Sequence, residues 1–272
     1  MDVGDLLAGP RPRVVDLSQP FEEGMPSSPT HPAFELSLQQ LHGQAPRADG
    51  MTGSHERLTF GGHVGTHVDA LCHVAVDGMI FPGVPVTDAI VDGRYVVGGV
   101  EQVRPYVGRA VLYDLPRLLG RAMEPGEAVT RAHLEAVDGD GGLAAGGEAA
   151  LVRTGWAARW PGSDYASPEH GIPGLDLDAA RYLGDRGVVL VGADTIAVEQ
   201  VTSEHGLGRL PVHRHLLGER GVNLVESMNL EPLAGLASPA VLLVCAPLRI
   251  VGATGAPVRP LALLPENTGP TP

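Results

Sequence analysis

The chain has 272 residues, 32 of them acidic and 19 basic, for a formal net charge of −13. With no basic run, that balance works against a nucleic-acid partner, whose phosphates are met by clustered Lys and Arg, and no apolar run approaches the roughly 18–20 residues of a bilayer span. All the basic residues are arginine, which excludes Schiff-base, P-loop and kinase-type lysine chemistry; Cys72 and Cys245, without C-x-x-C spacing, form neither a disulfide framework nor a zinc knuckle. The acidic, polar start does not read as a signal peptide, so the expectation is one domain, 1–272, in the cytoplasm, with a small-molecule partner and neither nucleic acid nor membrane.

In chain order, RVVDLS from Arg13 reads as a first strand, and residues 22–48, rich in Pro, Ser, Gly and His, as a loop able to close over a pocket. RYVVGGV from Arg94 and RAVLYDL from Arg109 read as strands, and 130–137 as a helix with Thr130 as its N-cap. GDGGLAAGG from Gly139 is a loop, EAALVRTG from Glu148 a strand, 160–173 a second loop, and 176–185 a helix. GVVLVGAD from Gly187 is a strand, 211–219 a helix with Pro211 in its first turn and Gly221 past its end, and PAVLLVCAPLRIV from Pro239 a strand before a frayed tail, ENTGPTP. Several strands are apolar on both faces. The fold class is α/β: a single strand-rich domain with a mixed central sheet or partial barrel and short flanking helices.

GGHVGTHVDALCHV, from Gly61, concentrates ligand-type side chains. His63, Gly65, His67, Asp69, Leu71 and His73 share one parity, so an extended segment sets the ligands on one side and a small apolar seam on the other. A helix would also bring His63 to His67, but Gly61, Gly62, Gly65, Val and Thr make a poor helix start. The expectation is a strand bent before His73, with Gly65 leaving room for an ion or substrate and letting the backbone turn. Imidazole and carboxylate suit zinc, manganese or iron, which makes His63, His67 and Asp69 candidate ligands, and the two oxygens of Asp69 could bridge two ions. The competing reading is a solvated polar strand face with Cys72 packed beneath it.

His63-Val-Gly-Thr-His67-Val-Asp69-Ala-Leu-Cys-His73 resembles the H-x-G-T-H-x-D-x-P-x-H signature of the cyclase-like metal hydrolases, a family that includes bacterial kynurenine formamidase, isatin hydrolase and polyketide-type cyclases. DLSQPFEEGMP from Asp16, LVRTGW from Leu151 and GATGAPVRPLAL from Gly252 extend the likeness. The resemblance implies a swivelling β/β/α-like fold, metal on His63, His67 and Asp69, and His73 as catalytic acid/base. It implies a further histidine and carboxylate, assigned to His213 and Glu226, with His215 the competitor for the histidine role. One or two Zn or Mn ions and a homodimer or homotetramer follow in the same way. Leu71 and Val74 depart from the proline and phenylalanine of the short formamidases, which alters the pocket wall, and the chain is longer than those enzymes, with extra sequence near 115–128 and 160–174.

Asp194 and Glu199 could orient a ligand histidine, although a strand-end aspartate capping its own turn is an equal reading. His133, His170 and His205 read as surface or loop residues, and Trp156, Trp160, Phe60, Phe81 and Tyr165 mostly as core. The expected activity is metal-dependent hydrolysis of a C–N bond in an aryl-formyl or cyclic amide. The alternatives are a polyketide-type cyclase or dehydratase at the same site, and a non-catalytic metal- or small-molecule-binding module with His73 turned away.

Overall fold

Four parallel strands form the centre of a computed structural model that describes residues 11–28, 30–139 and 144–265: Tyr106–Asp114, Ala149–Arg153, Leu190–Ala193 and Asn223–Glu226. Their sequences are apolar without alternation because both faces are covered. Val111, Tyr113, Ala150, Val152, Val191 and Leu224 pack on the helical side, while Leu112, Leu151 and Val225 belong to a second core on the other. The covering helices, Arg131–Val137 and Leu177–Asp185, start where expected: the side chains of Thr130 and Asp176 accept from the backbone N–H of His133 and Ala179, satisfying donors that the first helical turn leaves free.

Antiparallel strands extend the sheet on both sides. Ala240–Cys245, Leu261–Leu264 and Arg13–Asp16 follow one another beyond Tyr106–Asp114, while His67–Asp69 and then Gly255–Pro257 lie beyond Asn223–Glu226. The nine-stranded mixed sheet curls into a half-barrel with a few short helices, in line with the expected fold class. Register places Glu226 opposite His67 and Leu224 opposite Asp69, so His67, Asp69 and Glu226 share one face. Glu226 ends its strand, and the site therefore lies at the carboxyl ends of the parallel strands, where open α/β sheets bind ligands.

Several expectations need correction. Residues 63–73 are not one strand: only His67–Asp69 is extended and paired, Gly65 turns the chain with φ +59°, and Leu71–His73 is a 3₁₀ turn. The strand is as short as its partners, which reach it over those three residues alone. Gly65 allows the turn as expected, but it does not leave room for an ion, since a Cβ there would sit 2.7 Å from the Phe21 ring. Only Arg94–Tyr95 of RYVVGGV is a strand, paired with Ile90–Val91. The expected loop 22–48 contains Glu35–Gln40, which pairs with His55–Thr59 in a hairpin exposed on nearly every residue; its short alternation of Leu36 and Leu38 with polar neighbours is a strand pattern, but those leucines, and Leu58 opposite Leu36, face outward instead of into the core. The expected helix at 211–219 is one α-turn, Pro211–His213, continued by a π-turn, Arg214–Glu219. Residues 140–143 of the GDGGLAAGG loop and the ENTGPTP tail lie outside the described residues.

Candidate metal centre

Each ligand-type side chain arrives by a separate local device. His67 is 2% exposed, and its Nδ1–H donates to the Gly65 carbonyl at 2.8 Å, which leaves Nε2 directed into the cluster. Asp69, two residues on along the same strand, is 1% exposed. His63 comes from the turn, with Nε2 against the Thr254 hydroxyl at 2.8 Å and Nδ1 2.7 Å from Asp69 Oδ1. The hydroxyl of Thr66 receives the Gln19 N–H and donates to the Ser227 carbonyl, tying the turn to the end of the Glu226 strand. Ser227 itself has φ +53°, a left-handed conformation that costs energy outside glycine and concentrates at functional sites; it turns the chain directly after Glu226.

His213 is 4% exposed and enters from the Pro211–His213 turn. Glu199 fixes it, accepting from the Val212 and His213 backbone N–H groups and, at 2.6 Å, from His213 Nδ1–H. That leaves Nε2 3.1 Å from Glu226 Oε1 and 3.5 Å from Asp69 Oδ2. A carboxylate gripping the far nitrogen of a histidine is the usual way a ligand imidazole is oriented. His215 instead turns its Nδ1 to Glu219 at 2.9 Å, so of the two candidates it is His213 that joins the cluster. Asp194 plays no part in it. Its carboxylate accepts from Thr154 and Gly155, capping the turn after the neighbouring strand, and burial pushes it up to about 6.

His63, His67 and Asp69 form one group that could hold a cation, and Asp69, His213 and Glu226 a second, with Asp69 common to both. Three buried atoms here have no hydrogen-bond partner among the described residues: His67 Nε2, Asp69 Oδ2 and Glu226 Oε1. His67 Nε2 lies 3.4 Å from both Asp69 Oδ1 and Glu226 Oε2. Ligands about 2.1 Å from a tetrahedral cation are themselves about 3.4 Å apart, so the spacing fits a divalent ion better than a hydrogen-bonded network. Burial opposes charge on His67, yet the nearby carboxylates of Asp69 and Glu226 raise it to about 10. Asp69 is held far below its usual range by the surrounding imidazoles, although burial opposes this.

His73 follows the strand on the 3₁₀ turn, its ring stacked on His63 at 4.0 Å between centroids. Burial, reinforced by the nearby His63 and His213, lowers it to about 4 despite the opposing pull of Asp69 and Glu226. It does not turn away, as the binding-module reading requires. Sequence reasoning missed two neighbours. Thr254 holds His63, and its only signal was the GATGAPVRPLAL segment; His31 lies 5.4 Å from His63 between ring centroids, and no motif marks it. Cys72 is buried, its thiol raised to about 12 by burial, as expected of packing. His133 caps a helix, and His170 and His205 are on the surface. A cleft of about 740 Å³ lies at the opposite ends of the parallel strands, lined by Tyr106, Gly147, Leu190 and Asn223 among others, and contains none of the clustered residues.

The family model described as "Putative cyclase" matches residues 15–200. The chain belongs to the cyclase family. It is 26% identical to a kynurenine formamidase of Bacillus cereus over 248 residues, covering 90% of this chain and 94% of that protein. It is 24% identical to an isatin hydrolase of Roseibium aggregatum, covering 96% and 90% respectively. Among solved structures, one described as a novel cyclase superimposes with a TM-score of 0.83 at 25% identity, covering 93% of this chain and 87% of its own. Isatin hydrolase A from Labrenzia aggregata superimposes with a TM-score of 0.77 at 23% identity, covering 97% of this chain and 99% of its own, which shows the shared fold.

Proposed function

We propose that this chain is a metal-dependent hydrolase that cleaves the C–N bond of a small aryl-formyl or cyclic amide. The observation that carries the reading is the convergence of orphaned, buried imidazole and carboxylate atoms beside a further imidazole, His73, stacked on His63. Kynurenine formamidase and isatin hydrolase as relatives support it. His63, His67, Asp69, His213 and Glu226 would hold the cation, zinc or manganese, with Asp69 shared if two ions bind. A divalent ion there supplies a Lewis acid that polarises a carbonyl and brings the pKa of water toward neutrality.

The protein's own groups do the rest. Glu199 and the Gly65 carbonyl hold two imidazoles in the tautomer that turns Nε2 inward. His73, neutral at pH 7, takes a proton from the attacking water on a ring nitrogen and returns it to the departing nitrogen. An amine leaves poorly as an anion, and such acid–base help is worth roughly 100- to 10,000-fold. Metal analysis of the purified protein, followed by a screen of formanilides, isatin and related cyclic amides with and without a chelator, tests the reading; turnover unaffected by exhaustive chelation would overturn it.

A second reading is a cyclase or dehydratase, favoured by the family's name and the 0.83 superposition on a structure described as a cyclase. Mass spectrometry separates the two: hydrolysis adds one water to the substrate, and cyclisation with dehydration removes one. We also propose a homo-oligomer. Val14, Leu263 and Leu242 form a cross-strand row on the outer face of the sheet, 57% and 42% exposed at Val14 and Leu242, an apolar surface suited to a second copy. Light scattering checks it.

A further inference from the structure

The loop that carries His31 is held by its own hydrogen bonds and by the segment that leads into the candidate metal centre. The His31 backbone N–H donates to the Ser28 carbonyl, Ser28 Oγ and Thr30 Oγ1 share a hydrogen bond of 2.9 Å, and the Gly61 N–H donates to the Pro32 carbonyl at 3.1 Å. Two residues further on, Phe34 is 7% exposed and packs edge-on against Phe21 and face-on against Phe60. Pro32 lies so close to Gly61 that a Cβ there would stand 3.1 Å from its ring. These contacts tie the loop to the segment that leads into His63.

So anchored, the imidazole of His31 leans over that of His63 at 5.4 Å between centroids and 31° between planes, half-buried. Its ring nitrogens have no hydrogen-bond partner among the described residues, whereas His63, His67 and His213 each have a ring nitrogen engaged by a protein oxygen. A preorganised, half-exposed ring with free nitrogens beside a candidate ligand is placed to meet what binds there, not to complete the protein.

We propose that His31 is a specificity-determining residue that donates a ring N–H to an oxygen acceptor, a carboxylate or carbonyl, on the substrate bound beside His63. The inference rests on the amide-hydrolase reading for the identity of the substrate and on the geometry above for the contact. A neutral imidazole donating to a carboxylate gains more than one donating to a neutral carbonyl, about tenfold in binding or more for the charged acceptor.

The test compares wild type with His31→Phe, which keeps a flat ring but no donor, and His31→Gln, which keeps a donor. Each is loaded with metal, its metal content measured, and titrated calorimetrically with aniline, 2-aminobenzamide and 2-aminobenzoate; kcat and KM are measured for formanilide and 2-formamidobenzoate. Wild type is expected to prefer the oxygen-bearing ligands, with 2-aminobenzoate ahead of 2-aminobenzamide. His31→Phe should lose about tenfold of that preference, mostly in KM, at unchanged metal content, and His31→Gln should retain most of it. A preference that survives in His31→Phe overturns the proposal, as does one that falls in step with metal content, which would make His31 a mere buttress of His63. If wild type hydrolyses neither formamide yet its binding preference depends on His31, the hydrolase reading fails and the role of His31 stands. If wild type shows no preference for the acceptor, the role of His31 fails whatever the turnover.

Discussion

Two largely buried clusters of charge sit at the carboxyl ends of strands in one sheet, and they solve the same problem differently. In the first, Arg153 ends its strand with Asp114 at 2.7 Å on one side and Glu231 at 2.8 and 3.2 Å on the other. The guanidinium fork fits the carboxylates, and none of these atoms is buried without a partner. In the second, Asp69 and Glu226 are surrounded by imidazoles, and among the described residues no arginine enters; atoms of His67, Asp69 and Glu226 are left without hydrogen bonds. Buried carboxylates need a compensating cation. The first cluster carries its own and is structural; the second is shaped for one from outside, and the proposed chemistry belongs there.

The comparison can be broken at either cluster. The largest effect is expected from Asp69→Ala, which removes the side chain shared by both ligand groups: metal stoichiometry and turnover should both fall to background, and metal retained at full occupancy would refute its central place. Next, His73→Ala should keep the metal while kcat falls about 100- to 10,000-fold, with metal content and rate measured on the same sample; equal metal loss in these two variants would erase the division between ligand and acid/base. At the other cluster, Arg153→Met should cost about 3 kcal/mol of stability in denaturant unfolding, because it strands the buried Asp114 carboxylate while the partly exposed Glu231 turns to solvent, with no change in metal stoichiometry.

Smaller effects sharpen the contrast. Glu199→Gln should weaken metal affinity about 10- to 100-fold in a competition titration with a chelating dye, since it loosens His213 without removing a ligand. The pH dependence of stability has a definite sign. The imidazole of His67 is raised from 6.5 to about 10, so it contributes stability that is full below pH 6.5 and fades as the pH climbs toward 10. Chelated protein should therefore lose thermal stability across that window, and metal-loaded protein, in which the ion replaces the proton, should lose less. Parallel melting curves would contradict the competition of proton and metal for the same lone pair.

Much of this was legible along the chain. The doubly apolar runs at Arg109, Glu148 and Gly187 read as buried strands because a parallel sheet covered on both faces demands them, and Thr130 announced its helix by capping chemistry. The parity of His67 and Asp69 correctly gave them one face. His63 escaped that logic: it reaches the cluster through a turn at Gly65, and Thr254, almost two hundred residues away, grips its ring. The exposed hairpin at Glu35–Gln40 and His55–Thr59 was overlooked because the Pro, Ser, Gly and His around it outweighed the short Leu36/Leu38 alternation, and that alternation marks no core face, since both leucines stay exposed. The choice between His213 and His215 was beyond spacing, since two residues of one turn differ only in what packs against them.

The sequence alone narrowed the kind of chemistry: without lysine, with two lone cysteines and with three imidazoles and one carboxylate crowded into residues 63–73, the types of candidate ligand were set by composition and local order. Tertiary structure decided which of those groups meet, because the pairing of Glu226 with His67, the grip of Glu199 on His213 and the approach of His31 to His63 join residues distant in sequence. Side-chain periodicity reports the direction of a residue relative to its own element, and convergence depends on how those elements pack.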